Sequence, residues 1–246
     1  MQEYIEAGNR RLKFSPSLMC MDYLNIGRDI SVLYRFFDSF HVDIMDGHFC
    51  KSIHLSPEYV RSISTIAQIP IEVHLMVENP DDYISDLIDC GADMIIIHVE
   101  SAQQKVFRII NQIKSAGKSV GIALCPATPV ECIRYMLGYV DKVTVLNVDI
   151  GFVGQKLIPE MLVKTREINT IRRQEGYTYV IQADGGVSEE TFSSLVAAGV
   201  DDFVIGKKAL FSKGSNTCDC SQQFYKDFRT AMEMATVKSE FVCKLL

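Results

Sequence analysis

Two histidines and two aspartates stand at the ends of three apolar, β-branched runs: His41 and Asp43 in FHVDIMDGHF, His74 in IPIEVHLMV, and Asp184 in YVIQADGGV. Side chains alternate along a strand, so His41 and Asp43 project from one face while Val42 and Ile44 point the other way. Two imidazoles and two carboxylates meeting at one mouth would hold a divalent cation and leave a position open to substrate. If Asp43 and Asp184 each bind through one oxygen, their second oxygens stay free as bases on opposite faces of a flat substrate. That arrangement suits inversion of a carbon beside a carbonyl, with the cation neutralising the enediolate oxygen that forms. Taken singly, each residue has a plainer reading: a loop aspartate, a turn at Asp184-Gly185-Gly186, a hydrogen-bonded core histidine.

Other residues stand close to these. Glu72 shares a strand face with His74, two residues deeper, where a carboxylate can orient an inward histidine. His98 also ends a strand, but its spacing does not separate a ligand from a structural residue. Asp46-Gly47-His48 reads as a turn with glycine at positive φ, in which Asp46 can hold a loop or a histidine in place. Met19, Met21, Met45 and Met76 fall near the same mouth, either as core residues or as thioethers lining a bound sugar.

Eight strands are expected at Lys13–Leu18, Phe40–Met45, Ile71–Met76, Met94–His98, Ser119–Leu124, Lys142–Leu146, Tyr179–Ala183 and Asp202–Ile205. Their starts lie roughly 23 to 37 residues apart, the length of one β-α unit. Helical patterns fill the intervals, as at Gln103–Ala116, Pro159–Gln174 and Glu189–Ala198, and Gly91, Gly117 and Gly199 each punctuate a helix end. Asn79-Pro80-Asp81 and Ser188-Glu189-Glu190 look like helix starts. The pattern predicts an α/β fold, a single-domain (β/α)8 TIM barrel over 1–246, with an N-terminal extension (1–12) and a C-terminal loop and helix (213–246). A doubly wound dinucleotide-binding sheet would want G-x-G-x-x-G after its first strand, and the chain has none there. On a barrel, chemistry belongs at the carboxyl ends of the strands, where His41, Asp43, His74, His98, Asn147, Asp149 and Asp184 all fall.

Glycine-bearing loops follow the last three strands: Asp149-Ile150-Gly151-Phe152-Val153-Gly154-Gln155, Asp184-Gly185-Gly186-Val187-Ser188 and Gly206-Lys207-Lys208. Exposed backbone N–H groups beside helix N-termini bind phosphate without net positive charge, and Lys207 adds a cation. Each loop alone also reads as a simple turn, and Lys207 as an ordinary surface lysine.

Composition narrows the partners. The net charge of −6 gives no bulk attraction to nucleic acid or anionic membrane. The chain shows no apolar run of about 18 residues and no signal-peptide core in MQEYIEAGNRRLKF, which predicts a cytoplasmic protein. The eight cysteines then read as reduced thiols, and the lone C-x-C of Cys218 and Cys220 is too little for zinc.

At SPSLMCMD, HVDIMDGHF, VHLMVENPDDYI, GADMIIIHVES, VDIGFVGQ and ADGGVSEET the chain resembles the ribulose-phosphate 3-epimerase family, from about Lys13 to Phe211. The resemblance implies a metal-dependent barrel with His41, Asp43, His74 and Asp184 as ligands to one divalent ion: zinc, manganese, iron, cobalt or magnesium. It implies Asp43 and Asp184 as the acid/base pair, and Ser17 and His74 in contact with a phosphorylated ketose. It places phosphate against Gly151, Phe152, Val153, Gly154, Gly185, Gly186, Gly206 and Lys207, and it implies a homo-oligomer, a dimer or larger. The wording of SPSLMCMD, LSPEYV, DDYI and IPEML looks most like the branch acting on D-allulose 6-phosphate, with D-ribulose 5-phosphate as the alternative substrate. The chain departs from the family at Cys50-Lys51-Ser52 (usually V-P-N), Leu146-Asn147 (Met-Thr), Ile150 (proline), Gln182 (glutamate) and Lys207 (a small hydroxyl residue). None of these is a proposed ligand.

Overall fold

Apolar side chains recur on alternate positions of each strand, and their partners across the pleat are mostly polar or small, so one strand face is sealed by helices and the other turns inward. A computed structural model describes residues 5–214 and 216–243, the last seven by backbone alone. The ends of the two expected extensions, residues 1–4 and 244–246, and residue 215 lie outside the described residues. The strands are β1 (Ile5–Ala7), β2 (Arg10–Pro16), β3 (Phe40–Asp46), β4 (Ile53–His54), β5 (Ile71–Met76), β6 (Met94–His98), β7 (Ser119–Leu124), β8 (Lys142–Leu146), β9 (Val180–Asp184) and β10 (Asp202–Ile205). The helices are α1 (Ile26–Leu33), α2 (Pro57–Ser64), α3 (Ile84–Asp89), α4 (Val99–Ala102), α5 (Val106–Ser115), α6 (Glu160–Glu175), α7 (Phe192–Ala198) and α8 (Thr217–Cys243).

Eight parallel strands run in the order β2-β10-β9-β8-β7-β6-β5-β3. A parallel bridge between Ser17 and His41 brings β2 against β3 and closes the ring. The molecule is therefore the single-domain α/β barrel that the sequence predicts. β1 and β4 pair antiparallel on β2 and β3 at the seam. The expected N-terminal extension is thus partly a hairpin, and β2 begins at Arg10 rather than Lys13. The crossover from β7 to β8 carries only a short 3-10 turn, Val130–Ile133, in place of a full helix.

Outward residues such as Val42, Ile44, Val73, Leu75, Ile95, Ile97, Val143, Val145 and Ile181 are buried beneath the helices. Burying each such side chain contributes on the order of 1.5–3 kcal/mol. Helix ends follow local chemistry: Ser56 Oγ accepts from Tyr59 N–H at the start of α2 with Pro57 in the first turn, and Gly176 ends α6 at φ 68°. Gly121 in β7 has a packing reason, since an added methyl would stand 2.7 Å from Ile96 Cγ1. Helix α8 packs over β2 and α7 through an aromatic cluster, in which Phe228 packs on Phe14 at 5.0 Å and on Phe192 at 4.7 Å between centroids. The final helix predicted within 213–246 is thus docked on the barrel through its first half.

Candidate metal centre and substrate cavity

Register sets the centre. Asp43 pairs with His74 across β3 and β5, His41 with Glu72 one layer below, and Ser17 stands beside His41 at the seam. Asp184 arrives from the far side as the last residue of β9. One ligand atom from each of His41, Asp43, His74 and Asp184 lies within 4.8 Å of all the others. His41 Nε2 is 3.2 Å from Asp43 Oδ1 and 3.7 Å from Asp184 Oδ2. His74 Nδ1 is 3.4 Å from Asp43 Oδ1 and 3.1 Å from Asp184 Oδ2. Both imidazoles are fully buried, and the two carboxylates are only slightly exposed.

The chemistry of this donor set fits a divalent cation. His41 Nε2 and His74 Nδ1 are buried nitrogens without a hydrogen-bond partner, and both face the carboxylate oxygens. Unpartnered buried polar atoms are costly, and a cation set among them would satisfy both at once. The other nitrogen of His41, Nδ1, lies 2.7 Å from Glu72 Oε1. Glu72 also accepts from Lys142 and, at 2.5 Å, from Gln182 Nε2, so it is an acceptor-only carboxylate and His41 Nδ1 carries the proton. In the neutral ring the lone pair is then on Nε2 and directed inward, as metal ligation requires. The glutamate expected to orient an inward histidine thus orients His41, not its strand neighbour His74. Ser17 Oγ donates to Asp43 Oδ2 at 2.7 Å, fixing the oxygen turned away from the imidazoles.

Electrostatics follow from crowding. Burial disfavours charge on His41, but Asp43 and Glu72 outweigh it and hold the imidazole pKa well above its ordinary value. Burial opposes ionisation of Asp43 and Glu72 as well. The adjacent histidines, and Lys142 beside Glu72, reverse that and hold both carboxyls below the usual range. Glu100 is similarly disfavoured by burial yet held at about 2 by His98, Thr128 and the Cys125 N–H.

Above the centre opens a cavity of about 550 Å³. Ser17, Asp43, Asp184, Gly151, Phe152, Val153, Gly154, Gly185, Gly186, Gly206 and Lys207 all line it, so the structure gathers nearly every residue singled out for substrate around one space. His74 is the exception. It is fully buried and does not line the cavity. Of the two readings open for the methionines, Met19, Met45 and Met76 line the wall, Met45 and Met76 as members of a small buried cluster, whereas Met21 packs in the main core. Asp149 is on the wall, and Asn147 is buried with its Nδ2 donating to Gly185 O at 3.2 Å. Asp46 holds a loop: its carboxylate accepts from the N–H groups of His48, Phe49 and Glu78 at 2.8 to 2.9 Å. Gly47 there has φ 77°, as its turn demands. Gly186 is also obligatory, with φ 66° and room for no Cβ, which would stand 2.6 Å from Leu157 N.

The buried Lys142–Glu72–Asp202–Gln182 cluster beneath the centre escaped the sequence reading. Lys142 Nζ bridges Glu72 and Asp202, the latter at 2.5 Å. The available signal was a lysine and two acids on inward positions of apolar strands.

Sequence comparison decides the family. A model of the ribulose-phosphate 3-epimerase family matches residues 13–211. This chain belongs to that family. A ribulose-phosphate 3-epimerase of Methanocaldococcus jannaschii is 38% identical over 203 residues, 82% of this chain and 85% of that protein. Those of Treponema pallidum and Bacillus subtilis are 36% and 34% identical, covering 82% and 79% of this chain and 93% and 90% of theirs. Among solved structures, 3-hexulose-6-phosphate synthase aligns with a TM-score of 0.64 at 11% identity over 90% of this chain and 100% of that one. A mutant tryptophan synthase α-subunit of Pyrococcus furiosus gives 0.64 at 13% identity over 89% and 98%. These two support the barrel alone. The family is one of isomerases, carbohydrate-phosphate epimerases, and His41, Asp43, His74 and Asp184 form a site that could hold its metal.

Proposed function

We propose that this epimerase inverts C3 of D-ribulose 5-phosphate, interconverting it with D-xylulose 5-phosphate. The observation that carries the reading is the pair Asp43 and Asp184, gathered with two unpartnered imidazole nitrogens at the base of a cavity walled by glycine loops. A divalent ion held by these four residues, when bound, supplies a Lewis acid beside the carbonyl and the oxyanion derived from it. One aspartate, ionised, takes the proton from C3, leaving an enediolate. The other, protonated, delivers its proton to C3 from the opposite face, so the pair exchanges protonation states in each turnover. Ser17 holds Asp43 through its second oxygen. The methionines offer an apolar wall to the planar intermediate, and the backbone of Gly151–Gly154, Gly185–Gly186 and Gly206, with Lys207, offers donors to the phosphate.

The relatives' names support the pentulose substrate better than the hexulose that the wording SPSLMCMD and IPEML favours. D-allulose 6-phosphate therefore stands second. On this reading the chain works in the cytoplasm as a homo-oligomer, one barrel unit over 1–246, on a phosphorylated ketose. Among the described residues no helix is long and apolar enough to cross a membrane, and seven cysteines are free.

The test is incubation with each sugar phosphate in heavy water, with and without chelator. Deuterium is expected at C3 of the epimeric product, faster with D-ribulose 5-phosphate and abolished by chelation. Faster turnover of D-allulose 6-phosphate would reverse the substrate order, and binding without exchange on either sugar would remove the epimerase reading.

A further inference from the structure

A second group of side chains of the types that can ligate metal, His98, Glu100 and Cys125, lies directly behind His74. His98 Nε2 is 2.9 Å from His74 Nε2, with both rings fully buried and only 16° apart in plane. Two neutral imidazole nitrogens at that distance share one proton, so one donates and the other accepts. On its far side His98 Nδ1 meets Glu100 Oε2 at 3.0 Å. The other oxygen of Glu100 accepts the Cys125 N–H at 2.7 Å and the Thr128 hydroxyl. Lys164 ties down the loop that carries those donors, its Nζ donating to the carbonyls of Cys125, Pro126 and Thr128 at 2.9, 2.7 and 2.8 Å.

This geometry allows one direction of donation. An ionised carboxylate only accepts, so the proton of His98 sits on Nδ1. His98 Nε2 then presents a lone pair, and His74 Nε2–H must donate to it. His74 Nδ1 is left unprotonated, with its lone pair toward Asp43 and Asp184. We infer that Glu100 and His98 are positioning residues that fix His74 in the tautomer able to ligate a metal through Nδ1. The inference rests on the metal reading of the centre.

The same reasoning argues against a second metal at the rear cluster. A cation on His98 Nδ1 would move that ring's proton to Nε2, from which it would donate to His74 Nε2. His74 would then carry its own proton on Nδ1, closed to ligation. Cys125 Sγ, 3.5 Å from His98 Nδ1, is in addition a thiol whose pKa burial and Glu100 push up to about 12.

The full chain and zinc alone test this. Nitrogen-15 NMR of the zinc-loaded protein is expected to find protons on His98 Nδ1 and His74 Nε2; a proton on His98 Nε2 overturns the inference. In chelator competition, Glu100→Gln, whose amide can donate to His98 and reverse the relay, is expected to bind one zinc about 10- to 100-fold more weakly. Cys125→Ser is expected to bind zinc as the parent does, and a loss there overturns the inference in favour of a metal at the rear cluster. Equal affinity in the parent and folded Glu100→Gln overturns it while leaving the metal reading intact; a parent that binds no zinc removes that reading and the inference with it. Should Glu100→Gln fail to fold, the spectrum of the parent chain decides alone.

Discussion

At the floor of the barrel, Lys142 ends between Glu72 and Asp202, Gln182 donates to both carboxylates, and Thr144 and Ser15 complete the set at 2.9 Å each. One layer higher, His41 Nε2, His74 Nδ1 and Asn147 Oδ1 are buried without hydrogen-bond partners. Both layers are polar and buried, yet the lower one satisfies itself and the upper one does not. Natural cores leave few buried polar atoms unsatisfied, so a cluster of them at the base of a cavity is a place prepared for a ligand. The contrast teaches that polarity inside a barrel does not by itself mark a site; unfilled valence does.

The contrast breaks most sharply under substitution of one residue from each layer. Asp184→Asn removes a base without changing shape, and turnover of the ketose phosphate is expected to fall about 10²- to 10⁴-fold while the thermal midpoint stays near that of the parent. A midpoint that collapses would show the upper layer to be structural after all. Lys142→Met should do the reverse. It leaves Glu72 and Asp202 as neighbouring buried carboxylates, and breaking such a cluster costs about 3–5 kcal/mol. Urea unfolding is the measurement, and an unchanged midpoint would mean that the lower layer is no more a keystone than the upper.

Acid and base titration sharpen the same comparison. The folded pKa of Glu72 is depressed below its ordinary 4.5, so its contribution is present above that pH and is lost as pH falls from there. Glu100, held at about 2, loses its contribution between its ordinary 4.5 and that value. For Lys142, burial lowers the pKa but Asp202 and Glu72 raise it above 10.5, so its contribution is complete below 10.5 and is lost as pH rises beyond. The His41 imidazole, held well above its ordinary 6.5, gives its full contribution below that pH and loses it as pH rises beyond. Stability by denaturant titration should therefore be greatest between about pH 5 and 6.5, decline above that range with His41 and later Lys142, and fall on the acid side, where Glu72→Gln should flatten the limb. An acid limb unaltered in that variant would assign it to other carboxylates.

How much of this was legible in the chain depends on the range of the interaction. The eight barrel strands and the four centre residues were visible because alternation and strand-end position are local signals, as in the His41 and Asp43 pair. Boundaries shifted where tertiary contacts extend a strand: β2 starts at Arg10 because its hairpin with β1 supplies a ladder that the apolar pattern does not show. The interval before β8 reads like the others, yet its only regular element is a short 3-10 turn. The pairing at the floor was not legible because Lys142 meets residues 70 and 60 positions away, and an inward lysine in KVTVL does not say which acids face it. His98 stood in plain view at a strand end, but its role depends on a 2.9 Å contact with another strand.

The smallest expected effect lies at the rim. Lys207 is exposed, lines the cavity, and makes no salt bridge among the described residues, whereas its neighbour Lys208 is engaged with Glu190 at 2.6 Å. Exposed charge pairs contribute about 0.2–1 kcal/mol, so Lys207→Ala should raise KM for the phosphorylated ketose about two- to fivefold and leave kcat unchanged. Salt discriminates a phosphate contact from a packing effect. Screening weakens exposed charge interactions, so the gap in KM between parent and variant should narrow as ionic strength rises from about 0.01 M to 1 M. A KM unmoved at low salt would leave Lys207 as an ordinary surface lysine and assign phosphate recognition to the glycine loops, whose N–H groups need no side-chain charge.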